Sequence, residues 1–250
     1  MCRHLAYVGP PVALGELLLR PAHSLEHQSW APDTQVSGVV NADGFGVGWY
    51  ADGDPVPARY RRAGPIWGDL GFRDLARVVR TRALLAAVRG ATLPGADKEA
   101  AAAPFAADRW LFSHNGAVPG WPGSLAPVAA TLPAAELLAL EARTDSALVW
   151  ALVLHRLRAG DAPDRALADT VREVAEAAPG ARLNLLLTDG QVVAATTWGD
   201  SLCFSAAPGR TVVASEPYDD DPGWTAVPDR TVLLASRTDV SLTPLKEPSP

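Results

Sequence analysis

The chain opens Met1-Cys2-Arg3-His4-Leu5, followed by Ala6-Tyr7-Val8, so one of only two cysteines stands at the second residue, just ahead of what reads as a strand. Chain ends are usually mobile, and a reactive thiol left there is a liability. The placement makes chemical sense if Met1 is removed and the working chain begins at Cys2. A free α-amine, with an ordinary pKa of ~7.7–8.0, then serves as general base for its own thiol. No separate histidine is needed. For Cys2 taken alone, a merely buried cysteine is the plainer reading, so the remaining sequence has to decide.

Outward from Cys2, short apolar or alternating runs bounded by Gly, Pro or Asp read as strands over 4–8, 46–50, 83–89 and 110–114. Further strands are expected over 183–188, 192–197, 211–215 and 231–235. Asp189-Gly190 between two of these runs signals a hairpin, because the dipeptide suits a turn with positive φ. Helical period appears in the middle. Thr144-Asp145-Ser146 caps a run carrying Leu148, Val149, Leu152, Leu154 and Leu157 that ends near Gly160. A second helix is read over 164–177, and two more over 69–80 and over 12–19 after Pro10-Pro11. Strands, then helices, then strands point to an α+β layered domain rather than alternating βαβ units. One domain over residues 1–250 is expected, with a disordered tail from about 245.

Composition removes several classes of function. Hydrophobic residues make up 48%, enough for a substantial core, yet no apolar stretch reaches the ~20 residues of a membrane helix. The first ten residues lack the basic start and apolar run of a signal peptide, so a cytoplasmic protein is expected. A net charge of −6 gives no reason to expect nucleic acid. Two cysteines make no disulfide framework, no CxxC pair suggests zinc, and Cys203 reads as a packed strand residue. His23-Ser24-Leu25-Glu26-His27 fits the H-x-x-E-H pattern of a metallopeptidase group, but Pro21 before it and Pro32 after it leave little room for the helix required. It is read as a chance match, and neither metal nor cofactor is expected.

Four segments carry candidate chemistry. Asn41 to Tyr50, NADGFGVGWY, sets Gly44, Gly46 and Gly48 in alternation with larger residues, as suits a strand crossed closely by another backbone or a ligand. Ala86 to Thr92, AAVRGAT, ends a strand with the guanidinium of Arg89 and the hydroxyl of Thr92, a pair suited to gripping a carboxylate. A surface arginine at a strand end is the alternative. In Arg109 to Gly116, RWLFSHNG, the Asn115 amide and the Gly116 N–H can form an oxyanion hole, or simply an Asn-Gly turn. Arg143 to Ser146, RTDS, puts Asp145 at a helix start, either as an ordinary cap or as a carboxylate for a substrate ammonium.

In this order after an N-terminal cysteine, the segments resemble the class II glutamine amidotransferases, cysteine members of the N-terminal-nucleophile (Ntn) hydrolases. The resemblance implies a four-layer αββα sandwich with Cys2 as nucleophile and its α-amine as base. It implies Asn115 and Gly116 as oxyanion hole, Arg89 and Thr92 on the substrate α-carboxylate, and Asp145 on its α-amine. The ligand is then a small γ-glutamyl compound, with no fused synthetase. The R-W-A-T-H-G form frequent in glutaminase domains is altered here to Arg89-Gly90-Ala91-Thr92-Leu93-Pro94-Gly95. Together with the 215–224 stretch, SEPYDDDPGW, and the other motifs, this is more similar to the amidohydrolase branch that serves ergothioneine biosynthesis by removing glutamate from γ-glutamyl-hercynylcysteine S-oxide. For the trimethylammonium of that substrate, Trp30, Trp49, Trp67, Trp121 and Tyr218 are candidate walls. Arg3 and His4, beside the nucleophile, are read either as positioning groups or as support of the fold. A glutaminase supplying a separate synthetase, and a catalytically silent binding domain, are the alternatives.

Overall fold

The protein's computed structural model describes residues 2–34, 40–90 and 99–245. The opening strand, β1, runs from Cys2 to Ala13, well beyond the stretch expected. Successive side chains of a strand point to opposite faces, and β1 uses both. Leu5 and Tyr7 join an apolar cluster with helical Leu14, Leu17 and Phe72, whereas Ala6 and Val8 join one with Leu111 and Leu186 of a second sheet. A strand buried on both faces lies at the centre of a layered molecule.

The first sheet has the order β11 (Trp224–Ala226), β9 (Cys203–Ala207), β10 (Arg210–Ala214), β1, β4 (Arg80–Arg89), β2 (Phe45–Trp49), β3 (Ala58–Arg62). The second has the order β13 (Val240–Pro244), β12 (Thr231–Ala235), β8 (Val193–Thr197), β7 (Arg182–Thr188), β6 (Trp110–Ala117), β5 (Phe105–Ala107). Their described pairings are antiparallel. Helices α1 (Leu14–Leu18), α2 (Leu25–Gln28) and α3 (Leu70–Val78) cover the outer face of the first sheet. Helices α6 (Asp145–Arg158) and α7 (Pro163–Ala177) cover the second, with the short α4 (Ala126–Ala129) and α5 (Ala134–Leu138) beside them. The result is the αββα sandwich.

The glycines of β2 explain how the two sheets come so close. A Cβ at Gly46 would collide with the carbonyl oxygen of Ala103, and one at Gly48 would stand 2.6 Å from Leu111 Cδ2. A neighbouring backbone does cross this strand. The Asp189-Gly190 hairpin joins β7 to β8 with Thr188 opposite Val193, and Gly190 adopts φ +86°.

The expected helix over 12–19 is corrected by the structure. Val12 and Ala13 continue β1, pairing with Thr81 and Arg80, and only Leu14–Leu18 is helical. The register of β1 against β4 shifts between Val8 and Val12. Pro10 and Pro11, which have no N–H to give a ladder, fall inside that irregularity instead of ending the strand. The helix over 69–80 is shorter than read: Asp69 caps it by accepting from the Phe72 N–H at 2.9 Å, and Arg80 already opens β4. The tail beyond Leu245 and Thr92 both lie outside the described residues.

Candidate active site

Chain ends of separate elements meet at Cys2. As the first residue of β1, Cys2 lies opposite Arg89, the last residue of β4. Its backbone nitrogen donates to Asn115 Oδ1 at 3.1 Å, across the gap between the sheets. That contact follows from strand parity: Leu111 of β6 faces the other sheet, so Ser113 and Asn115 do too. His4 and Cys2 share the corresponding face of β1, and His4 Nδ1 meets Ser113 Oγ at 3.1 Å. Two polar rungs thus bridge the sheets where apolar side chains bridge them further along.

Asn115 is fully buried, and with Oδ1 engaged its amide nitrogen has no hydrogen-bond partner among the described residues. A buried amide N–H without a partner is costly, so this donor is held ready for an acceptor. Gly116 follows as the penultimate residue of β6, where a Cβ would collide with the carbonyl of Arg182 and stand 2.6 Å from His114 Nε2. Burial pushes the Cys2 thiol above its ordinary range. The charge of the chain's N-terminus, then that of Arg89 and the Gly90 N–H, pull it back, and the charge of Asp145 adds to the rise.

Asp145 is the first residue of α6, one place inside the cap, because Thr144 is the residue whose side chain accepts from the Ala147 N–H at 3.2 Å. The Asp145 carboxylate is steered by the N–H groups of Val118, at 3.0 Å, and of Ser146, at 2.8 Å. Arg89 Nη1 donates to the Asp43 carbonyl at 3.4 Å, tying the end of β4 to the loop before β2. The structure therefore brings Cys2, Arg89, Asn115, Gly116 and Asp145 to one place. Several neighbours had no assigned role in the sequence. His114 Nε2 donates to the Arg182 carbonyl and its Nδ1 meets Ser146 Oγ, both at 2.9 Å, which fixes the end of β6 against the start of α6. Gly90 acts through its backbone, and backbone groups leave no sequence signal.

The surroundings sort the remaining expectations. Cys203 is buried in β9 with its thiol pushed up by burial, as a packed residue should be. Glu26 pairs with Arg73 at 2.6 Å, while His23 turns toward Asp220 at 3.3 Å, so the H-x-x-E-H residues face different partners. Trp49 and Trp121 pack against the apolar cores, and Trp30 meets Trp67 edge-on at 5.5 Å. Tyr218 is buried and meets Trp224 edge-on at 5.2 Å. Trp224 itself, with His23, Asp33, Glu216, Asp219 and Asp221, lines a cavity of about 310 Å³.

The profile for class II glutamine amidotransferases matches residues 19–208. The gamma-glutamyl-hercynylcysteine sulfoxide hydrolase of Mycolicibacterium smegmatis is 43% identical over 245 residues, covering 98% of this chain and 100% of that protein. The Mycobacterium tuberculosis (strain CDC 1551) protein of the same name is 43% identical, covering 98% of this chain and 97% of its own. Among solved structures, a glutamine aminotransferase class-II domain protein from Silicibacter pomeroyi superposes with a TM-score of 0.71 at 25% identity, covering 98% of this chain and all of that one. Bacillus subtilis glutamine phosphoribosylpyrophosphate amidotransferase superposes at 0.68 with 16% identity, over 98% of this chain and 49% of its own, a likeness of fold alone. With the profile spanning most of the sandwich and these relatives nearly all of the chain, the protein belongs to the class II glutamine amidotransferases.

Proposed function

We propose that this chain, as a single domain, hydrolyses the γ-glutamyl amide of γ-glutamyl-hercynylcysteine sulfoxide, releasing glutamate and hercynylcysteine sulfoxide. Removal of Met1 frees the Cys2 nitrogen as an α-amine, and that nitrogen already faces Asn115 Oδ1. The amine takes the thiol proton as sulfur attacks the γ-carbonyl, and the oxyanion that forms accepts from Asn115 Nδ2 and the Gly116 N–H. The ammonium then gives its proton to the departing amine, leaving a γ-glutamyl thioester on Cys2. Water, deprotonated by the same α-amine, cleaves the thioester to glutamate and regenerates the thiol. Arg89 and Thr92 hold the substrate α-carboxylate, and Asp145 its α-ammonium.

The observation that carries this reading is the buried Asn115 amide nitrogen, without a hydrogen-bond partner among the described residues, on a side chain whose oxygen meets Cys2 at the convergence of β1, β4 and β6. Identity of 43% to hydrolases of this named substrate supports the choice of amide. The leaving half carries a trimethylammonium, and the acidic cavity beside Glu216, with the Trp224 ring in its wall, is complementary to such a cation.

The test is glutamate release by processed protein and by Cys2→Ala, from the sulfoxide conjugate and from glutamine. Cys2-dependent cleavage of the conjugate, with little of glutamine, is the expected result. Preference for glutamine would replace this reading with a glutaminase serving a separate synthetase. No Cys2-dependent turnover of either would favour a silent binding domain.

A further inference from the structure

Arg3 and Glu216 take no part in those steps, yet both charged side chains are almost fully buried. The Arg3 guanidinium is 1% exposed and the Glu216 carboxylate 3%, with Nε and Oε2 3.5 Å apart. Arg3 Nη1 reaches the carbonyl of Cys2 itself at 3.5 Å, while Nε and Nη2 have no hydrogen-bond partner among the described residues. Glu216 is better served: the N–H groups of Asp33 and Thr34 and the Thr34 hydroxyl all donate to it, at 3.2, 2.9 and 2.7 Å. Burying a cation with so few of its donors met is strongly unfavourable. An apolar side chain would serve the fold better at this position.

We propose that Arg3, locked by Glu216, is a positioning residue that keeps the Cys2 α-amine in its neutral, proton-accepting form; the inference rests on Cys2 being an N-terminal nucleophile. A fixed positive charge beside an amine disfavours its ammonium form. Besides the charge of the chain's own N-terminus, the charges acting on Cys2 come from different elements: Arg89 at the end of β4 and Asp145 at the start of α6. Around Arg3 stand Glu216 after β10 and Asp200 before β9, and the imidazoles of His4 and His114 lie nearby. Bound substrate neutralises Arg89 with its carboxylate and Asp145 with its ammonium. Of these two arginines, Arg3 is the one whose counter-charge, Glu216, comes from the fold and not from substrate, so it stays in place throughout the cycle.

Two substitutions separate this role from support of the fold. Arg3→Gln removes the cation and leaves Glu216 behind, so the acid limb of kcat/KM moves up by about one pH unit. Glu216→Gln retains oxygen for the Asp33 and Thr34 donors but leaves the guanidinium without its counter-charge, so the limb moves down. Arg3→Lys keeps the charge and holds the limb near its original place, with kcat reduced. The profiles are measured on processed protein, with folding checked by circular dichroism. Opposite shifts from the two Gln variants support the inference. Limbs that stay put, or move the same way, overturn it and leave Arg3 as a structural residue. Should Arg3→Gln not fold, a downward limb in Glu216→Gln supports the inference and an unmoved or raised one overturns it. Failure of the unsubstituted enzyme to release glutamate through Cys2 would instead strike the reading beneath it.

Discussion

At the scale of single residues, Asn115 does two jobs with one amide. Its oxygen orients the Cys2 nitrogen at 3.1 Å, and its nitrogen is the unpartnered donor. Asn115→Ala is expected to lower kcat by roughly 10²–10³, about 2.7–4 kcal/mol of barrier, with a smaller change in KM. Steady-state kinetics on the sulfoxide conjugate check this; a change confined to KM would move Asn115 from chemistry to binding. His4 makes a different prediction. Burial first, then the charges of His114 and Arg3, pull its pKa down to about 3. In the unfolded chain the imidazole takes up a proton near 6.5, so between those values the unfolded state binds more protons and stability rises with pH. The contribution is complete above pH 6.5 and is lost as pH falls, by roughly 2 kcal/mol at pH 5. Urea midpoints at pH 7 and pH 5 are expected to differ less in His4→Gln than in the unsubstituted protein. An equal drop in both would place the acid sensitivity elsewhere.

At the scale of elements, the site is built from ends. β1 begins in it, β4 and β6 finish in it, and α6 starts against it. Ends have unpaired backbone groups to offer, which is why Gly90 and Val118 contribute N–H groups to Cys2 and Asp145. The cap of α6 therefore sets where Asp145 stands as well as how stable the helix is. Thr144→Ala removes the acceptor for the Ala147 N–H. A cost of about 1 kcal/mol is expected, a fall in Tm of roughly 2–4 °C for a chain of this length. KM is expected to rise more than kcat falls, because Asp145 is the next residue; calorimetry with kinetics measures both. A loss of Tm without any kinetic change would show that the Val118 and Ser146 N–H groups suffice to hold Asp145. The strands and long helices of this framework were legible because each has strong period: 4–8 within β1, 183–188 within β7, and the Thr144-capped α6. The short edge strands β3, β5, β11 and β13 were not, since pairing with a neighbour, more than their own pattern, makes them strands.

At the scale of the whole molecule, the two sheets approach closely where β2 presents Gly46 and Gly48, and their shared interior changes from apolar to polar at the end that holds Cys2. The 216–224 stretch and the 23–34 segment meet beside that end to form the acidic cavity of about 310 Å³. Trp224 is pinned there through its indole N–H on Asp219 at 2.7 Å. Trp224→Ala is expected to raise KM for the trimethylammonium-bearing conjugate roughly 2- to 30-fold while leaving glutamine cleavage unchanged. Equal effects on both substrates would remove the cavity from substrate recognition. By itself the sequence determined the α+β layering, the main strands, the hairpin at Asp189-Gly190 and the residue types at the site, because periodicity and turn chemistry are local properties. Tertiary structure alone decided that β1 passes through Pro10-Pro11, since only pairing with β4 can carry a strand across two missing N–H groups. It alone showed that Asn115 lies one contact from Cys2 across 113 residues of chain, and that Arg3 is buried against Glu216. Those facts depend on which strand ends close on one another, and local pattern carries no record of that.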